Sequence, residues 1–364
     1  MGFLTAIRSQ VINLRVFRAY FPLGRAIVDS ARFPLDYLRG DKARPFPSVL
    51  DVNVTNRCNL RCAFCYNDDN PDRRSDELTT DELFRLVDDA APWGAGFFLG
   101  GGEPFVRPDI YDLIGRIKAR GLPAGVVTNG TLLEGRHVDR LLRDRLDVAV
   151  VSLHGTEAVH DRLVGAPGAW RKAMETLRLL AAGMRAPGPM VNYVLSEDSP
   201  EDLAPFLEVM SGIDNVVVRL AHLSFLTPDE RRAHDGAWRA AFHAPPAPVL
   251  NHVREVPAGT FDGLLEILAD PRLARVLTKP LLTPAERRSW YTGSWDLARR
   301  CVFVWHSPVI NANGDVLPCQ YYGAPMGNLR DEPLTAIWNN DRYREFRRVL
   351  KAGLLPGCHR CCKL

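Results

Sequence analysis

Three cysteines fall within eight residues, as Cys58-x3-Cys62-x2-Cys65, and no other stretch constrains the fold and chemistry of the chain so tightly. Thiols at such spacing read as metal ligands. Tetrahedral zinc and cuboidal iron–sulfur sites usually take four protein ligands, so a trio is one short. The count makes sense for a [4Fe–4S] cluster whose fourth iron is left open for a small molecule to chelate. A zinc knuckle, or buried structural cysteines, is the plain alternative.

Bulk composition narrows the class. The chain has 364 residues, 46% hydrophobic and 24% charged, enough for one large α/β domain plus a smaller one. Its net charge is only +3. A nucleic-acid binder would need more charge, gathered in patches with stacking aromatics, so no nucleic-acid partner is expected. Eight cysteines are too few for a disulfide scaffold at this length. With no cleavable signal peptide, they read as metal binding in a reducing, cytoplasmic setting. No run of about 18 uncharged apolar residues appears that would span a bilayer.

Residues 1–45 are apolar and Arg-rich, with Arg8, Arg15, Arg18 and Arg25 and no acid before Asp29. A cationic helix resting on a membrane surface is one reading. The apolar residues do not keep to one face and Pro22 interrupts them, so a helical arm packed on the next domain is preferred. Ser48–Thr55 alternates apolar and polar residues, predicting a strand that runs into the cysteine loop. Thr79-Thr80-Asp81-Glu82 carries helix-capping chemistry. Strands then alternate with helices: Gly96–Leu99, Ala124–Thr128, Val148–Leu153, Met190–Leu195 and Val216–Leu220. Six strands separated by helices imply a parallel sheet over residues 46–222. Periodicity does not separate a barrel from an open doubly wound sheet. Residues 223–300 lose the alternation and read as irregular helices and linker. Residues 301–364 form a second unit.

The cysteine loop resembles that of radical S-adenosylmethionine (SAM) enzymes, Cys-x3-Cys-x-aromatic-Cys, with Phe64 in the aromatic slot. The resemblance implies a partial (β/α)6 barrel, a SAM-binding [4Fe–4S] cluster on Cys58, Cys62 and Cys65, and Phe64 against the adenine. Gly101-Gly102-Glu103-Pro104 begins 36 residues after Cys65 and follows a predicted strand, at the barrel mouth where ligands bind. Glycines admit close approach to backbone, and a carboxylate suits an ammonium. By resemblance this element holds the SAM amino group, although Gly100 stands where Thr or Ser is commoner. Thr128, Asn129 and Ser152 end later strands and resemble further SAM contacts. Arg162 resembles a partner for the SAM carboxylate. His154 and Val164 depart from the family pattern beside it.

A second set of cysteines lies at the far end. Seventeen residues separate Cys301 from Cys319, and Asn313-Gly314 between apolar runs predicts a hairpin that brings the two together. Cys358-x2-Cys361 would complete four ligands, with Cys362 spare. Gly314-x4-Cys319 resembles the α+β auxiliary-cluster domain of radical SAM enzymes, called SPASM or twitch. Five cysteines suit the shorter form with one [4Fe–4S] cluster; zinc is the alternative there too.

The resemblance implies that SAM is cleaved reductively, with an electron from a flavodoxin or ferredoxin, to a 5′-deoxyadenosyl radical that abstracts hydrogen from an unactivated C–H bond. Oxidation, epimerisation or bond formation would follow, and in an epimerisation Cys362 is a conceivable hydrogen-atom donor. Peptide-modifying relatives often carry an N-terminal recognition domain, for which the 57 residues before Cys58 are too few. That favours a small natural product, sugar or lipid over a ribosomal peptide. A non-enzymatic zinc protein and a plain electron carrier are the rival classes.

Overall fold

The computed structural model describes residues 37–38, 40–65, 76–248, 252–270, 273, 276–292 and 299–363. The expected N-terminal arm, up to residue 36, lies outside them. The first six strands are β1 (Val49–Thr55), β2 (Gly96–Gly101), β3 (Ala124–Thr128), β4 (Val148–Ser152), β5 (Met190–Val194) and β6 (Val217–Ala221). Between them run α1 (Thr80–Ala90), α2 (Ile110–Ala119), α3 (Gly135–Arg143), α4 (Glu157–Val164), α5 (Ala169–Gly183) and α6 (Ser199–Ser211). Thr79 caps α1: its hydroxyl accepts from Glu82 N at 3.2 Å, and the Glu82 carboxylate accepts from Thr79 N at 2.7 Å. Such a cap contributes about 1 kcal/mol.

Residues 223–300 are more ordered than a linker. They contain β7 (Phe225–Leu226) paired with β8 (His252–Val253), α7 (Pro228–Phe242), α8 (Asp262–Leu268), β9 (Leu277–Lys279) and α9 (Pro284–Thr292). β9 joins the main sheet parallel to β6. Three residues are too few to show a period of two, so periodicity does not reveal it. The C-terminal segment is joined to the barrel through its strands. Its β10 (Val309–Ile310), β11 (Asp315–Leu317) and β12 (Gly327–Asn328) extend the same sheet beside β1. The predicted hairpin is present, with β10 antiparallel to β11.

The sheet order is β12-β11-β10-β1-β2-β3-β4-β5-β6-β9. Its outward face, including Leu50, Val52, Val54, Leu99, Val126, Val151, Val191, Tyr193 and Leu220, joins the helices in one buried cluster. Burying each such side chain fully contributes roughly 1.5–3 kcal/mol. The inward face has its own small cluster, Val148, Val150 and Met190 with Phe98, Val127 and Val217 packed on it. In a flat sheet β1 and β9, six places apart, would be about 29 Å from each other. Yet Lys363 bonds Asp51 of β1 at 3.1 Å, while its charge and that of Cys362 act on Lys279 of β9. The sheet therefore curls into a partial barrel, and the C-terminal tail closes the gap. Among the described residues no helix is long and apolar enough to cross a membrane.

Candidate functional site

β1 delivers the chain to the barrel mouth, where the cysteine loop is clasped by the end of β2. Register slips between Asn53 and Thr55, and the resulting bulge turns the chain out of the strand. Gly102 N then donates to Thr55 O at 2.8 Å, and Glu103 N to Arg57 O at 2.9 Å. Only glycine permits this approach. A Cβ on Gly101 would lie 2.3 Å from Thr55 O, and one on Gly102 would lie 2.1 Å from Arg57 O. On its other side the loop pairs with the end of α4, Arg61 N to Val164 O at 3.1 Å and Ala63 N to Leu163 O at 2.9 Å. Cys58 and Cys62 pack there against Leu60, Val164 and Ala169.

Glu103 is 1% exposed and its carboxylate is occupied inside the protein. It accepts from Thr128 Oγ1 at 2.8 Å, Asn129 N at 2.7 Å and Phe105 N at 3.2 Å. Burial nevertheless pushes its pKa up to about 7, against these bonds. Asn129 ties the elements together. Its Nδ2 donates to Asn59 Oδ1 at 2.9 Å and reaches Cys58 Sγ at 4.0 Å, and its Oδ1 accepts from Thr131 N at 2.9 Å. Leu60 N donates to Cys58 Sγ at 3.4 Å. Burial raises the Cys58 pKa; the amide contacts oppose it. Phe64 meets His154 edge-on, ring centroids 4.6 Å apart. His154 fills the departure from the family pattern as a neutral ring, its pKa lowered to about 3 by burial and then by His160. Ser152 ends β4 on the inward face, in register with Asn192. Arg162 stands on α4 next to the residues that bond the cysteine loop; its side chain is 62% exposed and paired with Asp198 at 2.7 Å.

Below the mouth, strand register puts a set of polar residues on the inward face. Asn53 pairs with Gly100 and Asp51 with Phe98; Ser152 pairs with Asn192, Asn192 with Arg219, and Ala221 with Lys279. Sequence reasoning did not single out Asp51, Asn53, Asn192, Arg219 or Lys279. A signal was available: Asp51 and Asn53 alternate with Leu50, Val52 and Val54, and Arg219 interrupts an apolar run.

The C-terminal cysteines are set deeper. Cys301, Cys358 and Cys361 are buried within the main core, and Cys319 packs on it. Burial pushes the Cys358 thiol up to about 12 and raises Cys301, Cys319 and Cys361 as well. Their charges act on one another: Cys319 is raised by Cys358 and Cys301, and Cys361 by Cys362, Cys319 and Cys301. Four buried cysteines whose thiolate charges would repel one another, with Lys363 the cation that acts on Cys301, suit a positively charged iron–sulfur core, which takes thiolates. Tyr322 OH lies 3.1 Å from Cys358 Sγ, and Lys363 N donates to Cys361 Sγ at 3.4 Å. Cys362, next to Cys361, is held by other donors, its Sγ accepting from Gln320 Nε2 at 3.1 Å and Tyr321 OH at 3.6 Å. Among the described residues no three His, Cys, Asp or Glu side chains form a site for a single metal ion.

A parallel barrel with a three-thiol loop and a Gly-Gly-Glu clasp at its mouth, and a thiol site beside it, fits a protein that binds iron–sulfur clusters. Residues 52–210 match the radical SAM superfamily, and residues 301–362 match the SPASM iron–sulfur cluster-binding domain. The chain belongs to the radical SAM enzymes with a SPASM domain, whose cofactors are SAM, a [4Fe–4S] cluster and auxiliary iron–sulfur. It is 26% identical over 306 residues to the AdoMet-dependent heme synthase of Methanosarcina barkeri, covering 83% of this chain and 85% of that one. It is 28% identical over 313 residues to the PqqA peptide cyclase of Granulibacter bethesdensis, covering 83% and 76%. In fold it resembles Streptococcus suis SuiB bound to S-adenosylmethionine, with a TM-score of 0.55 and 19% identity over 90% of this chain and 72% of the other.

Proposed function

We propose that the chain is a radical SAM enzyme that modifies a peptide. Cys58, Cys62 and Cys65 would hold the SAM-binding [4Fe–4S] cluster. Gly101, Gly102, Glu103, Thr128, Asn129 and Ser152 would line SAM, with Phe64 beside it. Cys301, Cys319, Cys358 and Cys361 would hold one auxiliary [4Fe–4S] cluster. When bound and reduced, these cofactors supply a carbon radical able to take a hydrogen atom from an unactivated C–H bond. The protein's own part is to orient the substrate in the lumen and exclude water from it. Electrons would come from a flavodoxin or ferredoxin. Cys362 is the remaining thiol and the candidate hydrogen-atom donor.

The observation that carries the reading is the clasp of Gly101–Glu103 on Thr55–Arg57, which couples the thiol trio to the element expected to bind SAM. Arg162, committed to Asp198, is no longer favoured as a SAM contact. The PqqA peptide cyclase likeness supports a peptide substrate over the sugar, lipid or small natural product first favoured. The heme synthase likeness keeps a small-molecule substrate as the second reading.

The test is anaerobic reconstitution, iron analysis, and incubation with dithionite, SAM and short peptides encoded beside the gene. Expected are about eight irons per chain, 5′-deoxyadenosine, and a peptide whose mass falls by lost hydrogen. Colourless protein holding zinc would overturn the enzyme reading. SAM cleavage with every peptide unchanged would turn the choice to a small molecule.

A further inference from the structure

One ammonium in the lumen, that of Lys279, has no hydrogen-bonded partner among the described residues; the opposite charges that act on it are those of Cys362 and Asp51. Lys279 ends β9 on the inward face, level with Ala221 and Val194 and one step above Arg219 and Asn192. The groups around it are engaged. Lys363 Nζ pairs with Asp51 Oδ2 at 3.1 Å, and Arg219 Nε donates to Asn192 Oδ1 at 2.9 Å. Asn53 Nδ2 donates to Asn311 Oδ1 at 3.0 Å, and Cys362 Sγ accepts from Gln320 Nε2 at 3.1 Å. Lys279 Nζ makes no hydrogen bond or ion pair among the described residues, although the charges of Lys363, Cys362, Arg219 and Asp51 all reach it. Burial, then the Lys363 and Arg219 cations, pull its pKa down to about 8. Lys279 is half-buried, and a charge partly withdrawn from water without a hydrogen-bonded partner carries an uncompensated desolvation cost. The floor below, Phe98, Val127, Val150, Met190 and Val217, offers no polar group to offset it.

We propose that Lys279 anchors a carboxylate of the substrate, the side chain of an Asp or Glu in a peptide lying in the barrel lumen. The source of the carboxylate rests on the peptide reading above; the charge complementarity does not. A single negative charge fits best. Asp51 already neutralises Lys363, and a dianion would be repelled by Asp51. In a lumen partly shielded from bulk water an ammonium–carboxylate bond is stronger than at the open surface. It would fix the neighbouring carbons between the mouth and the C-terminal cysteines, and positioning is what hydrogen abstraction requires of the protein.

The test compares probes that differ only in charge: acetyl-Ala-Glu-Ala-amide against acetyl-Ala-Gln-Ala-amide, and propionate against propionamide. Each is titrated by equilibrium dialysis into anaerobic, SAM-loaded holoenzyme. The wild type should prefer the Glu peptide by about tenfold or more. Lys279→Met should erase that preference and Lys279→Arg should retain most of it, with brown colour and iron content reporting that both variants are folded. Equal affinity for both peptides in the wild type, a preference that survives in Lys279→Met, or no binding of any probe up to about 10 mM overturns the proposal. Preference for propionate with neither peptide bound overturns the peptide source and assigns the carboxylate to a small acid. Failure of the wild type to cleave SAM would sink the enzyme reading separately, leaving the binding comparison to be judged alone.

Discussion

The two groups of cysteines solve different problems. Cys58, Cys62 and Cys65 are half-buried on a loop at the barrel mouth, held by backbone bonds to β2 and α4. Cys301, Cys358 and Cys361 are part of the main core, with Tyr322 and the tail packed on them. A cluster that must receive and release a cofactor needs an open side and a loop that yields little. A cluster fully ligated by protein can be walled in, where burial and hydrogen bonds to sulfur set its potential. On the function proposed above, location separates a site suited to exchange from one suited to permanence.

The comparison breaks most decisively under crossed substitutions. Cys58→Ala should abolish 5′-deoxyadenosine formation and remove about half the iron, leaving the buried site loaded. Cys319→Ala should also remove about half the iron, yet leave SAM cleavage running uncoupled while substrate turnover stops. Its thermal midpoint should fall further than that of Cys58→Ala, because Cys319 packs on the core. Full turnover by Cys319→Ala would show that the second cluster is not needed. Gly102→Ala comes next. Its Cβ would sit 2.1 Å from Arg57 O, so the clasp must open at a cost of about 3 kcal/mol. Iron and SAM binding at the mouth should drop while iron at the buried site is unchanged, as metal analysis and SAM titration would report.

Glu103 sharpens the contrast through pH. Its carboxyl is raised from 4.5 to about 7 by burial, so on raising pH the unfolded chain loses this proton before the folded one. Cluster-free protein therefore has the full contribution below pH 4.5 and loses of order 3 kcal/mol by about pH 7. Denaturant midpoints across that window should fall more steeply for the wild type than for Glu103→Gln. The smallest effect is expected of Arg162→Ala. The exposed Arg162–Asp198 pair contributes no more than about 0.5 kcal/mol, and SAM affinity should hardly change. A large loss of SAM binding would place Arg162 in the site after all.

Much of the fold was legible. Strands β1 to β6 and their helices other than α4 follow from apolar runs and capping residues, and the hairpin from the Asn313-Gly314 turn, all of which are local signals. β9 was hidden by its length of three residues. The union of the C-terminal hairpin with β1 was hidden because a strand's partner is not written in its own sequence. Of the site, the seven favoured cysteines stood out by spacing and the Gly-Gly-Glu element by its resemblance to the family's. The three bonds that occupy Glu103 did not, and the pairing of Arg162 with Asp198 did not either.

Sequence alone determined which thiols this protein has, how they are grouped, and that a parallel α/β unit presents the first group at its mouth. Short spacings and periodicities carry that information because they act within a few residues. Only the tertiary structure decided that Asp51, Arg219, Lys279 and the C-terminal tail share one lumen. Strand register and sheet curvature bring them together from positions more than 300 residues apart, as for Lys363 and Asp51. A one-residue slip in any strand would turn its polar side chains away from the cavity.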